Sequence, residues 1–279
     1  MTYETMLAAV THDPEADAPR HAFAAHVRSY DPQLARFIEL QLASASERRA
    51  RHEARNTVPS AEDRKLLDAN LERWARTLRK YAVDIVYDRG FATKISIDPD
   101  LFLEYGDWLY TNAPIRHVAF TKPQDGAFPI DELAASPLLA RLDSIELTSC
   151  GLGDADIATL ARSPHLDRLR YLDLSWTRLG PAAYEALAAS PATRKLLVVV
   201  RSGRDIGAPL PGERFDATDQ DNLAGAAVMD WIAMPPDGVA LERTHGYLPW
   251  LHPRDNSCDA FDAAYYVARG ELPVKAPGR

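Results

Sequence analysis

Cysteine is nearly missing from this chain: of 279 residues only Cys150 and Cys258 carry thiols. Two so widely separated do not suggest a disulfide framework, so both are read as free thiols of a reducing compartment. Long hydrophobic runs are missing too. The longest aliphatic stretch, Leu196 to Val200, falls far short of the roughly 20 residues of a membrane helix. Met1-Thr2-Tyr3-Glu4 has neither the basic nor the apolar region of a secretory signal. A cytoplasmic protein with no membrane role is expected. Positive charge is scarce, with 32 Lys and Arg against 40 Asp and Glu and a net charge of −8. That argues against a general nucleic-acid binder, whose affinity rests on clustered cations that release counterions. A basic or polar protein partner is easier to accommodate. Catalytic signatures are missing as well, since no Ser-His-Asp or Cys-His spacing is recognisable. No enzymatic activity and no cofactor are expected. With 46% hydrophobic and 26% charged residues, the composition is that of an ordinary globular protein.

What the chain does have is a repeat. An offset of 27 residues carries Ser136-Pro137 onto Ser163-Pro164 and then onto Ser190-Pro191. The same offset carries Leu142 onto Leu169, Ile145 onto Leu172, Leu147 onto Leu174, Leu152 onto Leu179 and Leu160 onto Leu187. The units read Leu142-x-x-Ile145-x-Leu147-x-x-Cys150-x-Leu152 and Leu169-x-x-Leu172-x-Leu174-x-x-Thr177-x-Leu179, the leucine-rich-repeat pattern with Cys150 and Thr177 at its Asn/Cys position. The glycines at 151 and 153 then belong to the repeat turn rather than to a phosphate loop. Alternation at Ile145 and Leu147 predicts a short strand with one face inward, and Ala-rich Asp154–Arg162 and Pro181–Ala189 predict the helices. Ile115, Val118, Phe120 and Leu133 form a divergent first unit one period earlier, and Leu197 to Val200 a last strand one period later. Strands at 117–120, 144–148, 171–175 and 197–201 should form one parallel sheet, with caps over the ends of the stack.

The expected fold class is therefore α/β: a short leucine-rich-repeat solenoid of parallel strands and outer helices, with a helical N-terminal cap and an irregular, partly helical C-terminal cap. Residues 1–81 form the N-terminal domain, with amphipathic stretches around Leu34 to Leu42 and Leu66 to Tyr81. Residues 82–202 hold the repeats behind a leading hairpin, Val83 to Tyr87 and Phe91 to Ile97, and a helix carrying Phe102 to Leu109. Residues 203–279 form a C-terminal cap or docking region with helical stretches at Asp219–Met234 and Cys258–Arg269.

Pro19-Arg20, Phe23-Ala24, Asp31-Pro32 and Phe37-Ile38-Glu39-Leu40-Gln41, followed by Trp74 and Arg89-Gly90-Phe91, together resemble the repeat-companion domain found at the N-terminus of bacterial repeat proteins. The chain departs from that pattern at Ala25-His26, where the family has Asp-Trp, and at Tyr30, where it has Gly. The resemblance covers roughly residues 2 to 200. It implies a bacterial leucine-rich-repeat protein and implies no catalytic activity.

Binding residues are expected on the concave strand face, at positions that flank the buried leucines: His117, Ser144, Glu146, Thr148, Tyr171, Asp173 and Ser175, framed by Trp176 and Arg178. Glu146 and Asp173 fall on adjacent strands roughly 5 Å apart, an acidic spot suited to a basic side chain; the rival explanation is a solvated sheet face. A second candidate is the aromatic C-terminal segment around Tyr247 and Trp250, large rings in irregular structure being typical of binding hot spots. His245, His252 and Cys258 have only a loose ligand spacing, and no metal is expected. Arg48, Arg49, Arg51 and Arg55 alternate with Glu47 and Glu53 as on a solvated helix. The expected function is recognition of a protein or peptide by an adaptor, inhibitor or regulator. The rivals are an accessory subunit that presents a peptide to a modifying enzyme, and a metal-dependent enzyme in the C-terminal region.

Overall fold

The computed structural model describes residues 2–51, 60–123, 126–174, 177, 179–193, 196, 198–200, 238–246 and 248. The fold is mixed α/β, and the chain divides into two compact units, residues 1–118 and 119–279. Among the described residues no helix is long and apolar enough to cross a membrane.

Unit 1 contains helices α1 (Tyr3–His12), α2 (Ala18–Val27), α3 (Pro32–Arg51), α4 (Ala61–Trp74) and α5 (Pro99–Asn112), and the antiparallel hairpin β1 (Ala82–Asp88) and β2 (Phe91–Ile97). Polar side chains start the helices. Thr2 caps α1 through Thr5 N, Ser60 caps α4 through Asp63 N at 3.0 Å, and Asp98 caps α5 through Asp100 N at 2.9 Å. Asp31 does the same for α3, accepting from Leu34 N at 3.1 Å. Met6, Val10, Phe23, Ala24, Val27, Ile38, Leu42 and Phe91 make one core that joins α1, α2 and α3 to the hairpin.

The hairpin turns in two residues, Arg89 at φ 50° and Gly90 at φ 86°, between the paired residues Asp88 and Phe91. Two successive left-handed residues match the right-handed twist of the flanking strands. Arg89 has a Cβ and is strained there; its guanidinium, 2% exposed, holds the conformation. It donates from Nη1 to Glu15 O at 2.8 Å and Asp17 Oδ1 at 3.0 Å, from Nη2 to Pro14 O at 3.1 Å, and from Nε to Asp88 Oδ2 at 3.2 Å. Gly90 is required on two counts, because a Cβ there would also meet Ile38 Cγ1 at 2.4 Å. Its amide donates to Gln41 Oε1 at 2.6 Å. The hairpin, expected to lead the repeats, lies within residues 1–118, where Gly90 meets α3 and Phe91 meets α2.

Most of the residues that carried the companion-domain resemblance meet in this unit. Trp74 Nε1 donates to Asp31 Oδ2 at 3.3 Å, Phe37 lies 5.1 Å from Trp74, Phe23 5.0 Å from Phe91, and the Arg20 guanidinium 5.1 Å over the Phe91 ring. These contacts lock helices and hairpin together.

Strand β3 (His117–Phe120) runs across the division between the units. Unit 2 continues with helices α6 (Ile130–Ala135), α7 (Asp154–Ala161), α8 (Pro181–Ala189) and α9 (Gly238–His245), and strands β4 (Ser144–Glu146), β5 (Tyr171–Asp173) and β6 (Val198–Val200). The three strands pair in parallel, Ser144 with Tyr171 with Val198 and Glu146 with Asp173 with Val200. That register is the 27-residue offset of the sequence. The backbone bonds repeat with it: Leu142 N donates to Leu139 O, Leu169 N to Leu166 O and Leu196 N to Thr193 O, each at 3.0 Å. Ser136 and Ser163 each accept from the amide two residues on. Leu142, Ile145, Leu147, Leu160, Leu169, Leu172, Leu174 and Leu187 are all buried, the inward row that the spacing predicts. Asp154 at the start of α7 accepts from Gly180 N at 2.6 Å and so caps the next helix, α8. A Cβ on Gly180 would stand 2.8 Å from that carboxylate, which is why glycine begins the helix.

Strand β4 is shorter than expected, because Leu147 and Thr148 already belong to the turn that follows it; residues 175, 197 and 201 of the expected strands lie outside the described residues. Helix α9 was not foreseen. The expected helical stretches Asp219–Met234 and Cys258–Arg269 lie outside the described residues.

Candidate functional site

Cys150 and Thr177, at the polar position of each unit, work inward. Cys150 Sγ faces Phe120 O at 3.4 Å and Thr148 O at 3.6 Å, and the Thr177 hydroxyl donates to Leu174 O. Both satisfy loop carbonyls under the turn. Burial pushes the Cys150 thiol up to about 12, so the thiol stays protonated at neutral pH.

The strand-face residues divide by environment. Ser144 and Tyr171, in-register neighbours, are each 2% exposed, and Asp173 is 9% exposed. Glu146, paired with Asp173, is half-buried, and Thr148 is exposed. His117, on β3 in unit 1, is buried. The expectation that these positions open into solvent is thus corrected for His117, Ser144, Tyr171 and Asp173. Alternation decides which side chains share a strand face and says nothing of whether that face is covered. In β5 Tyr171, Leu172 and Asp173 are all buried, so both faces are covered, as is usual for parallel strands. Ser175, Trp176 and Arg178 lie outside the described residues.

Tyr171 and Asp173 lie on the same strand face, and the phenol donates to Asp173 Oδ2 at 3.4 Å. Burial, then the negative charges of Asp173 and Glu146, hold the phenol far above its ordinary range. It therefore acts as a fixed donor, softening the repulsion between two carboxylates on adjacent strands. Just before β4, Asp143 carries two roles. Its carbonyl accepts from Arg170 N at 2.9 Å and Tyr171 N at 3.2 Å, and its carboxylate faces Arg168 Nε at 3.6 Å. The accessible part of the row is Glu146 and Thr148, backed by this ordered layer.

In the C-terminal candidate, Tyr247, Trp250, His252 and Cys258 lie outside the described residues. His245 ends α9 and sits 2.6 Å by Nε2 from Glu185 Oε1 on α8, while the amide of buried Leu248 donates to Glu242 Oε1 at 3.1 Å. The His245–Glu185 contact ties α9 to α8, an attachment that no periodicity announced, and the Leu248–Glu242 bond closes the end of α9. Among the described residues no group of three or more His, Cys, Asp or Glu is placed to hold a metal ion. Comparison with known proteins found no matching family model, no matching curated protein and no matching solved structure.

Proposed function

We propose that this chain is a leucine-rich-repeat protein with an N-terminal companion domain, and that it recognises a protein or peptide without catalysing a reaction. The observation that carries the reading is the parallel register of β4, β5 and β6 at the repeat length itself, the stacking from which solenoids build an extended binding face. The site is the accessible end of the inner row, Glu146 and Thr148, with Ser144, Tyr171 and Asp173 as its buried support. Glu146 stands beside Asp173, so this end of the row carries negative potential and favours a basic side chain from the partner. Contacts of this kind serve an adaptor, inhibitor or regulator.

The test places a photo-crosslinking amino acid at Thr148 and, as a control, at Ala155, which is exposed on α7. A partner captured from Thr148 and not from Ala155, with capture reduced by Glu146→Lys, supports the reading. Equal capture from both positions, or capture indifferent to Glu146→Lys, overturns it. Asp173 is left unchanged, because reversing a buried carboxylate would strand an ammonium group in the interior and confuse misfolding with lost binding.

A further inference from the structure

In unit 1 the start of β1 and one side of α5 bring together a strand edge, three aromatic rings and a set of exposed carboxylates. Among the described residues β1 has a single strand neighbour, β2, and lies at the end of the strand order. A register irregularity between Ala82 and Asp84 lifts Val83 out of the pairing, and Val83 is 77% exposed. Two residues later, Ile85 N donates to the side chain of its own neighbour, Asp84 Oδ1, at 2.9 Å. Immediately before β1, Tyr81 stacks on Tyr105 with centroids 4.2 Å apart and meets Trp108 edge-on at 5.3 Å. All three rings are half-buried, and Leu101 lies one helical turn before Tyr105. Asp84, Glu104 and Asp107 are exposed and have no ion pair among the described residues. Of the adjacent cations, Arg79 is engaged by Glu72, and Lys80 is exposed beside Tyr81.

We propose that this face is a strand-addition site for an extended, basic peptide segment of a partner protein. An extended segment adds to a free edge by main-chain hydrogen bonds, and side-chain pockets supply the choice of sequence. Here an incoming carbonyl takes the Ile85 amide from its own neighbour's carboxylate. Asp84, released, is then an uncompensated anion beside the new strand, and a Lys or Arg on that strand answers it. Tyr81 to Asp84 spans about 10 Å of strand at roughly 3.3 Å per residue, so a peptide paired along β1 reaches the aromatic group. The faces of Tyr and Trp attract guanidinium and ammonium groups, and Glu104 and Asp107 beside them select for the same charge. A second copy of this chain fits poorly: antiparallel pairing of β1 with another β1 would bring Asp84 and Asp88 of each strand towards those of the other. This surface is separate from the Glu146 and Thr148 site, and it stands or falls independently of that reading.

The experiment uses the full chain and two fluorescein-labelled octapeptides, alternating Arg-Val and alternating Glu-Val, read by fluorescence anisotropy. The Arg-Val probe should bind and the Glu-Val probe should not. Trp108→Ala should weaken binding about tenfold, the loss of one aromatic anchor. Asp84→Asn, which keeps the oxygen acceptor and removes the charge, should weaken binding and flatten its salt dependence. Glu132→Gln, at an exposed carboxylate on α6, should leave binding unchanged. Amide exchange of the unaltered protein gives a reading that no misfolded variant can imitate: the Ile85 amide should slow when the Arg-Val probe is added. No binding, equal losses in Glu132→Gln and Asp84→Asn, unchanged exchange at Ile85, or self-association through β1 in place of probe binding would overturn the proposal.

Discussion

The hairpin of unit 1 and the repeated strands of unit 2 reach order by opposite means. The turn at Arg89-Gly90 is strained, and a buried guanidinium holds it through acceptors on Pro14, Glu15, Asp17 and Asp88. The strands of unit 2 sit on an inward row of leucine and isoleucine at one fixed spacing. A clamp of charges is specific and brittle, because removing one member strands the others in a medium that does not solvate them. An apolar row is forgiving of which aliphatic side chain fills it and unforgiving of empty volume.

The largest expected effect comes from breaking the clamp. Arg89→Met keeps the stem and removes the charge, leaving Asp88 buried beside it; unfolding free energy should fall by about 3–5 kcal/mol. Amide exchange should accelerate first in β1 and β2 and not in β5. Equal acceleration in both places would mean that the contrast between the two regions is false. Leu172→Ala should cost about 2–5 kcal/mol in chemical denaturation, with the loss registering first in β4 and β5. A cost below about 1 kcal/mol would remove Leu172 from the core.

A smaller effect follows from Cys150. Its thiol is raised in the folded protein to about 12 from an ordinary value of 9.0, so the neutral form is favoured by folding. That contribution is intact below about 9 and is lost progressively as pH climbs from about 9 towards 12, where the unfolded chain ionises and the folded one does not. Cys150→Ala should remove this part of the alkaline loss of stability, and native protein at pH 8 should resist iodoacetamide until denatured. Rapid alkylation of the native thiol would contradict the burial. The smallest effect belongs to Arg36 and Glu62, a fully exposed pair with Arg36 Nε 2.8 Å from Glu62 Oε1. Glu62→Gln should leave the unfolding midpoint unchanged within error, because exposed ion pairs are screened and entropically costly.

The contrast also explains what could be read in advance. Repetition multiplies a weak signal: one Leu-x-x-Ile-x-Leu is ambiguous, but the same positions filled 27 residues apart leave few alternatives. The strands at 144 and 171 and the helices at 154 and 181 all followed from spacing. The residues that meet in unit 1 were legible as a set but not as a mechanism. That Gln41 meets the Gly90 amide, or that Arg89 reaches back more than 70 residues to Pro14, Glu15 and Asp17, is a long-range pairing with no period behind it. Helix α9 escaped for the same reason, its contact with α8 resting on His245 and Glu185 rather than on a repeated position.

The sequence by itself determined the period, the parallel register and the row of residues that would be apolar and inward, because backbone geometry ties side-chain direction to position along a strand or helix. Only the tertiary structure decided which opposite-facing positions are covered. Ser144, Tyr171 and Asp173 alternate with buried residues, as solvent-facing ones do, and are nonetheless buried, whereas Thr148 beyond the end of β4 is exposed. Burial is a property of what packs against a face, and local periodicity carries no information about that.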